Sequence, residues 1–301
     1  MERRYPGSLH FGGHLTDMSY MRFNYHSAAL QRYVDVSVVF PTDNYRFSSA
    51  VADVPMLGAK ARPLCRPGTM FQTVYLLHGG GDDDSLVYRY TNAELFAQRN
   101  NVMLVTPNIA NSFGANTGYG VAYQSFLGDE LPNVIQALFA SSPQREDNFI
   151  MGYAMGGNAA LAAAIRYPER FCYCVDISGG IGYTLCTETL MEELEGEHFK
   201  TRFPLVCSTF GPAQELRGSE HDIRQVLLSN IEKGIKLPGF HLASGSREFI
   251  RSRVEADAMA LRELGCDVQY HCVENYDHDF TFWNHYIGLA LDSILPLRRG
   301  S

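Results

Sequence analysis

From Tyr33 onward apolar and polar residues alternate (Val34, Val36, Val38) until Phe40-Pro41 ends the run. A period of two puts those valines on one face of a half-buried strand. Thr73 to Leu77 is instead a short, largely apolar run, the pattern of a strand buried on both faces. Further strand-like runs lie at Val102–Thr106, Asn148–Met151, Tyr173–Ile177, Phe240–Ala243 and Val268–Val273, with helix-like stretches at about Ala93–Gln98, Phe126–Phe139, Asn158–Tyr167, Arg251–Leu264 and Trp283–Ile294 between and after them. Strand alternating with helix predicts an α/β domain with a mostly parallel central sheet and helices on both faces. Residues 179–236 break the rhythm, with helices at about Glu188–Glu197 and Asp222–Lys233, and read as a small lid-like insertion over the carboxyl edge of the sheet. Residues 1–20 read as an irregular N-terminal segment and Pro55–Pro67 as a surface connection. No internal repeat divides the chain, so residues 1–301 are expected to form one domain.

Composition narrows the functional classes. Hydrophobic residues at 46% and charged residues at 19% supply ample core material. A net charge of −8, with Lys and Arg nowhere clustered, argues against nucleic acid as a partner. No apolar run approaches the roughly 20 residues of a membrane span, and the N-terminus lacks a signal-peptide pattern. Seven cysteines (65, 172, 174, 186, 207, 266 and 272) form no CxxC pair and their number is odd. They read as reduced, structural thiols of a cytoplasmic protein. No ligand spacing suggests a metal, and the consecutive carboxylates Asp82-Asp83-Asp84 read as solvated or helix-capping residues.

Ligands of open α/β sheets bind outside the carboxyl ends of the strands. The polar residues that fall there are few: His78 with Gly79-Gly80-Gly81, position 154, Asp176, Ser246 to Glu248, and Asp277-His278-Asp279. Gly152-Tyr153-Ala154-Met155-Gly156-Gly157 sits between a strand and an alanine-rich helix, the context of a G-x-S-x-G nucleophile elbow. The nucleophile of that motif is a serine; here the central residue is Ala154, whose methyl group cannot attack a carbonyl. The rest of an acyl-transfer site is in place and in the chain order nucleophile, acid, histidine. His278, after the last strand, is the expected base. Glu248 is the expected acid, to hold the imidazole in one tautomer; the alternative is a surface Glu paired with Arg251 or Arg253, and Asp222 and Asp257 are weaker candidates for the acid. The Gly80 and Met155 N–H groups are the expected oxyanion hole, with Gly79 beside the substrate. Phe113, Tyr119 and Tyr123, in the loop Asn108–Tyr123, are either an aromatic substrate slot or packing.

Together these residues resemble the α/β-hydrolase esterases that include tributyrin esterase, feruloyl and acetyl-xylan esterases and S-formylglutathione hydrolase. The likeness runs from about Met21 to the end. Phe23 to Ser27 through Pro41-Thr42-Asp43 is similar to the family's opening strands, and Tyr75-Leu76-Leu77-His78-Gly79 with Ser85 and Arg89 to its oxyanion segment. Gly128 to Pro132 is similar to the helix before the elbow, Phe210-Gly211 with Gly218-Ser219-Glu220 to the tributyrin-esterase insertion, and His278-Asp279-Phe280 with Trp283 to the signature around the catalytic histidine. The resemblance implies an α/β-hydrolase fold and cofactor-free hydrolysis of a small-molecule ester through an acyl-enzyme. It also implies Trp283 in the substrate site and a homodimer. Small acyl esters, hydroxycinnamate esters and acetylated sugars remain open, and a thioester is disfavoured. Two departures stand out: the family's acid is usually Asp, and its nucleophile is Ser. Because the surrounding machinery is intact, the alanine reads as a replacement of a working serine, with a natural pseudoenzyme or ligand-binding module, or an acyltransferase, as the alternatives.

Overall fold

The computed structural model describes residues 17–42, 67–117 and 120–298. Most of the Pro55–Pro67 connection, together with Cys65, Tyr119 and residues 1–16, lies outside the described residues.

Eight strands form one sheet: β1 (Asp17–Ser27), β2 (Arg32–Thr42), β3 (Thr73–Leu77), β4 (Met103–Pro107), β5 (Asn148–Tyr153), β6 (Tyr173–Ile177), β7 (Gly239–Gly245) and β8 (Val268–Val273). Their order is β1-β2-β4-β3-β5-β6-β7-β8. The β1–β2 hairpin is antiparallel and β2 meets β4 antiparallel, while β3 to β8 are all parallel. β1 begins at Asp17, so the N-terminal segment read as irregular to residue 20 is shorter than expected; its Met18, Tyr20 and Arg22 gain order by pairing with β2. Every residue of β3, β4 and β5 is buried, as continuous apolar runs covered on both faces require.

Helices cover both faces. The short α1 (Leu86–Tyr90) and α2 (Ala93–Asn100) share one core with the last helix, α12 (Phe280–Leu289). On the other face lie α3 (Tyr123–Ser125), α4 (Leu131–Leu138), α5 (Met155–Arg166), α10 (Ile223–Glu232) and α11 (Arg251–Glu263), with α6 (Thr187–Glu195), α7 (Glu197–Arg202), α8 (Pro204–Phe210) and α9 (Ala213–Leu216) between β6 and α10. Among the described residues no helix is long and apolar enough to cross a membrane. The helix expected over Phe126–Phe139 is divided: a wide π-type turn, Phe126–Glu130, runs into α4. Pro132 has no N–H to return to the preceding turn, so the helix widens where that bond is lost. α10 lies along α5, where Asn230 Nδ2 donates to the Ile165 carbonyl at 2.7 Å. It is therefore part of the helical layer, and only the segment before it stands apart from the sheet.

Register decides where the loops meet. Leu77 lies opposite Gly152, Tyr153 opposite Ile177, Ile177 opposite Ala243, and Gly245 opposite Val273. The residues just beyond these ends (His78, Ala154, Ser178, Glu248 and His278) therefore share the carboxyl edge. The chain passes from β3 out to β4 and returns on the other side at β5, so the switch point of the topology lies between the β3 and β5 ends.

Of the acidic run after β3, Asp82 and Asp83 are partly exposed and Asp83 accepts from Ser85 at the start of α1, whereas Asp84 belongs to the scaffold. Asp84 is buried; Arg22 of β1 donates to it from Nε and Nη2 at 2.7 and 2.8 Å, and the Ser37 hydroxyl at 2.7 Å. The pair ties the outer hairpin to the loop that carries the glycine triplet. Arg22→Met leaves a buried carboxylate with one neutral donor and is expected to lower unfolding free energy by about 2 kcal/mol in urea titrations.

Candidate active site

The elbow is tight because the helix follows the strand with no room for side chains. A Cβ added to Gly152 would lie 2.1 Å from the Gly156 carbonyl oxygen, and one on Gly156 would lie 2.2 Å from that of Leu77. Between them Ala154 has φ 50° and ψ −125°, a conformation rare for a residue with a Cβ and costing about 1–3 kcal/mol. Its amide donates to the Ile177 carbonyl at 2.9 Å and its own carbonyl accepts from Gly157 at 2.9 Å, which locks the turn. The methyl group stands half-buried at the tip.

The β3 loop passes directly over this tip: a Cβ on Gly79 would lie 3.3 Å from the Ala154 methyl carbon and 3.1 Å from the Tyr153 ring. His78 anchors the loop. Its Nε2 accepts from the Ile109 N–H at 3.0 Å, so the proton sits on Nδ1 and is donated to the Gly79 carbonyl at 2.8 Å. Burial lowers its pKa, and the ring is a neutral strut. The Gly81 N–H is taken by Asn111 Oδ1 at 2.6 Å, whereas among the described residues no acceptor faces the N–H of Gly80 or of Met155. Met155 opens α5, whose first-turn amides have no helical partner. Met155 directly follows position 154 in the chain, and Gly80 directly follows Gly79 in the loop that meets it. Asp82 accepts from the Tyr153 hydroxyl at 2.9 Å, Asp83 from the Ser85 N–H and hydroxyl at 2.8 Å each.

His278 and Glu248, expected from the sequence as base and acid, lie in contact. His278 Nδ1 lies 3.1 Å from Glu248 Oε1, and the Glu248 side chain is wholly buried. A carboxylate only accepts, so Nδ1 carries the proton and Nε2 is left as the basic nitrogen, with no partner among the described residues. Glu248 Oε2 accepts from the Gly245 N–H at 3.0 Å and Oε1 also from the Ser178 hydroxyl at 2.6 Å. The His278 ring stands edge-on to Trp283 with centroids 5.1 Å apart, and Trp283 stacks on Tyr153, the residue before the elbow tip, at 4.8 Å. The alternative pairing of Glu248 with an arginine does not occur: Arg251 reaches the Ser246 carbonyl, and Arg253 holds Gly180 and Glu193.

Other expected residues take structural places. Asp222 caps α10, accepting from Gln225, and also accepts from Thr187 and Gly218. Asp257 pins the start of the segment after β6, accepting from the Thr184 hydroxyl at 2.7 Å and the Leu185 N–H at 2.8 Å. Tyr123 is buried in the core and its hydroxyl accepts from Arg32. Phe113 packs against Phe210 of α8. Asp176 is buried beneath the elbow helix, with Oδ1 2.0 Å from where a Gly157 Cβ would sit; Oδ1 accepts from Gly179 at 2.8 Å and Oδ2 has no partner. Sequence reasoning did not single out Ser178 or Asn158. Asn158 donates to the Tyr183 carbonyl and accepts from Gly180 and Ile181, fixing the strand-to-segment turn. The signal for Ser178 was its place, one residue beyond β6 and before Gly179-Gly180. A cavity of about 760 Å³ opens at the opposite, amino-terminal edge of the sheet, near Arg145, Cys172, Ile235 and Arg298. It contains no nucleophile–base pair, and its Lys236 and Arg298 are paired with Glu146 and Asp147.

Burial pushes the Asp176 carboxyl up from 3.8 to about 8. The folded state thus holds a proton that the unfolded chain releases, so this group's contribution to stability falls as pH rises from about 4 to about 8 and is level above that. Asp176→Asn mimics the protonated form. Urea titrations are expected to show the variant gaining on the parent across that window, and no gain would mean that Asp176 is ionised.

Known proteins similar to this chain are esterases and serine hydrolases. The model of the family described as "Putative esterase" matches residues 63–207, which contain the glycine triplet and the elbow. An acetyl esterase of Caldicellulosiruptor saccharolyticus is 24% identical over 284 residues, 91% of this chain and 97% of the relative. Among solved structures, the fluorophosphonate-binding serine hydrolase FphF of Staphylococcus aureus superposes with a TM-score of 0.72 at 24% identity, over 93% of this chain and 99% of its own. A ferulic acid esterase superposes at 0.67 and 16% identity, over 94% and 99%. The chain has the α/β-hydrolase fold, and over residues 63–207 it is similar to the family described as "Putative esterase".

Proposed function

We propose that this protein is built for carboxylic-ester hydrolysis through a Ser–His–acid triad, and that Ala154 stands where the nucleophilic serine belongs. One observation carries the reading. Ala154 holds a strained elbow conformation that a methyl group has no use for, between two free N–H donors and beside a formed His–Glu pair.

With a serine at 154, its hydroxyl attacks the ester carbonyl while His278 Nε2 removes the proton. The charge that develops on the carbonyl oxygen is met by the Gly80 and Met155 N–H groups. As the tetrahedral species collapses, the imidazolium returns the proton to the leaving alcohol, and the acyl group stays on the serine. Water then enters, gives its proton to His278, and releases the acid by the same steps in reverse. Glu248 accepts from Nδ1 throughout and stabilises the imidazolium without itself taking the proton. Tyr153, Trp283 and Gly79 frame the acyl group. The acetyl esterase relative supports short acyl groups, and the aromatic wall of Trp283 and Phe249 accommodates an aryl or hydroxycinnamoyl ester.

As it stands the chain binds ester and scarcely turns it over, because loss of the nucleophile from a triad lowers kcat about a million-fold. Ala154→Ser is expected to raise hydrolysis of p-nitrophenyl acetate, or of methyl ferulate, by several orders of magnitude. No gain on p-nitrophenyl esters from acetyl to octanoyl or on methyl ferulate would favour a ligand-binding module. Product esters formed only when an alcohol is added would favour acyl transfer.

A further inference from the structure

Glu248 is a long acid. Relative to Asp it has one more rotatable bond, and its carboxylate must still meet His278 in one orientation. We infer that Ser178 and Trp283 form a one-directional hydrogen-bond relay that fixes the Glu248 carboxylate, making Ser178 a positioning residue for the His278–Glu248 pair. The inference rests on the esterase reading of that pair.

The direction of the relay is forced by chemistry. The indole Nε1 of Trp283 only donates, and it points at Ser178 Oγ at 3.1 Å. A carboxylate only accepts, and Glu248 Oε1 lies 2.6 Å from the same Oγ. The serine therefore spends a lone pair on the indole and its single proton on Glu248, with no second arrangement open to it. A hydrogen bond to an ionised acceptor is the stronger kind, and the 2.6 Å separation is typical of it. Ser178 and the Gly245 N–H hold the two carboxylate oxygens separately, so the carboxylate is fixed in plane as well as in position.

Ser178 is itself held against its own preference. Its φ is +59°, a region that non-glycine residues seldom adopt. Its N–H donates to the Ala243 carbonyl of β7 at 2.8 Å, and the next amide, of Gly179, donates to Asp176. A position that needs left-handed backbone would be easier for glycine, and the next two residues are glycines. The hydroxyl is the feature glycine lacks, and it is completely committed to the acid and the indole. Trp283 lies on α12, five residues after His278, and its ring also packs on the His278 ring. The base loop thus reaches the acid by two routes: directly from Nδ1, and through Trp283 and Ser178.

The test separates the hydroxyl from the backbone. In the Ala154→Ser background, Ser178→Gly relieves the strained φ and Ser178→Ala keeps it; both lose the hydroxyl. The relay predicts that both lower kcat for p-nitrophenyl acetate about 10- to 100-fold, the size expected for one charged hydrogen bond, with KM changed less than twofold. It also predicts that the glycine variant is at least as stable as its parent. In the present Ala154 chain, ring ¹⁵N shifts of His278 read the tautomer whether or not the protein is an esterase. The Nδ1–H form is expected to dominate, and the Nε2–H form to become detectable in Ser178→Gly. An inactive Ala154→Ser variant with that tautomer change would remove the esterase reading and keep the relay. Unchanged kcat in an active background, or an unchanged tautomer in the present chain, overturns the relay.

Discussion

The close approach of three backbones at the β3, β5 and α5 junction is the constraint on which the site depends. Gly156 packs against the Leu77 carbonyl and Gly152 against Gly156, so strand, turn and helix occupy a space that no Cβ could share. That packing drives the intervening residue into a left-handed conformation and projects its side chain toward the β3 loop. The same contact leaves so little room between Gly79 and position 154 that a Cβ on Gly79 would lie 3.3 Å from the Ala154 methyl carbon. The strained turn at Ala154 and its approach to the β3 loop thus have one physical origin, the absence of side chains at two glycines.

The other half of the site is assembled independently, by strand register. β7 and β8 end level, and β6 ends two residues short of β7, so the residues that follow them meet at the sheet edge. Glu248 is buried and triply hydrogen-bonded, His278 is partly open to solvent, and Trp283 bridges to Tyr153 at the elbow. Buried carboxylates elsewhere act differently. Asp84 joins the hairpin to the glycine loop, Asp257 anchors the segment after β6, and Asp176 fills space under α5. What sets Glu248 apart from these carboxylates is that it faces an imidazole.

Much of this was legible in the sequence. β3 stands where its apolar run placed it, because a fully buried strand has a short, bounded signature, and the more exposed β8 also matches its expected span. Glycine spacing located the strained turn at Ala154, and chain order singled out Glu248 and His278, which the structure brings within hydrogen-bond distance. Less legible were features set by distant partners. β1 extends to Asp17 because β2 offers it a full ladder, and no local pattern carries that information. The helix at 126–139 divides at a proline whose effect depends on the turn before it. The buried place of Asp84 depends on Arg22, 62 residues away, so the acidic run looked like surface. The role of Ser178 depends on Glu248 and Trp283, 70 and 105 residues further along.

The central claim is that position 154 is the nucleophile site of a formed triad. Its most direct test is intact-mass and peptide-mapping analysis of Ala154→Ser after exposure to a fluorophosphonate, beside the present chain. The account predicts a single adduct in the variant, mapped to position 154, abolished by a further His278→Ala change, and no adduct in the present chain. An adduct on another residue in both proteins, or none in the variant despite a native fold, would contradict it.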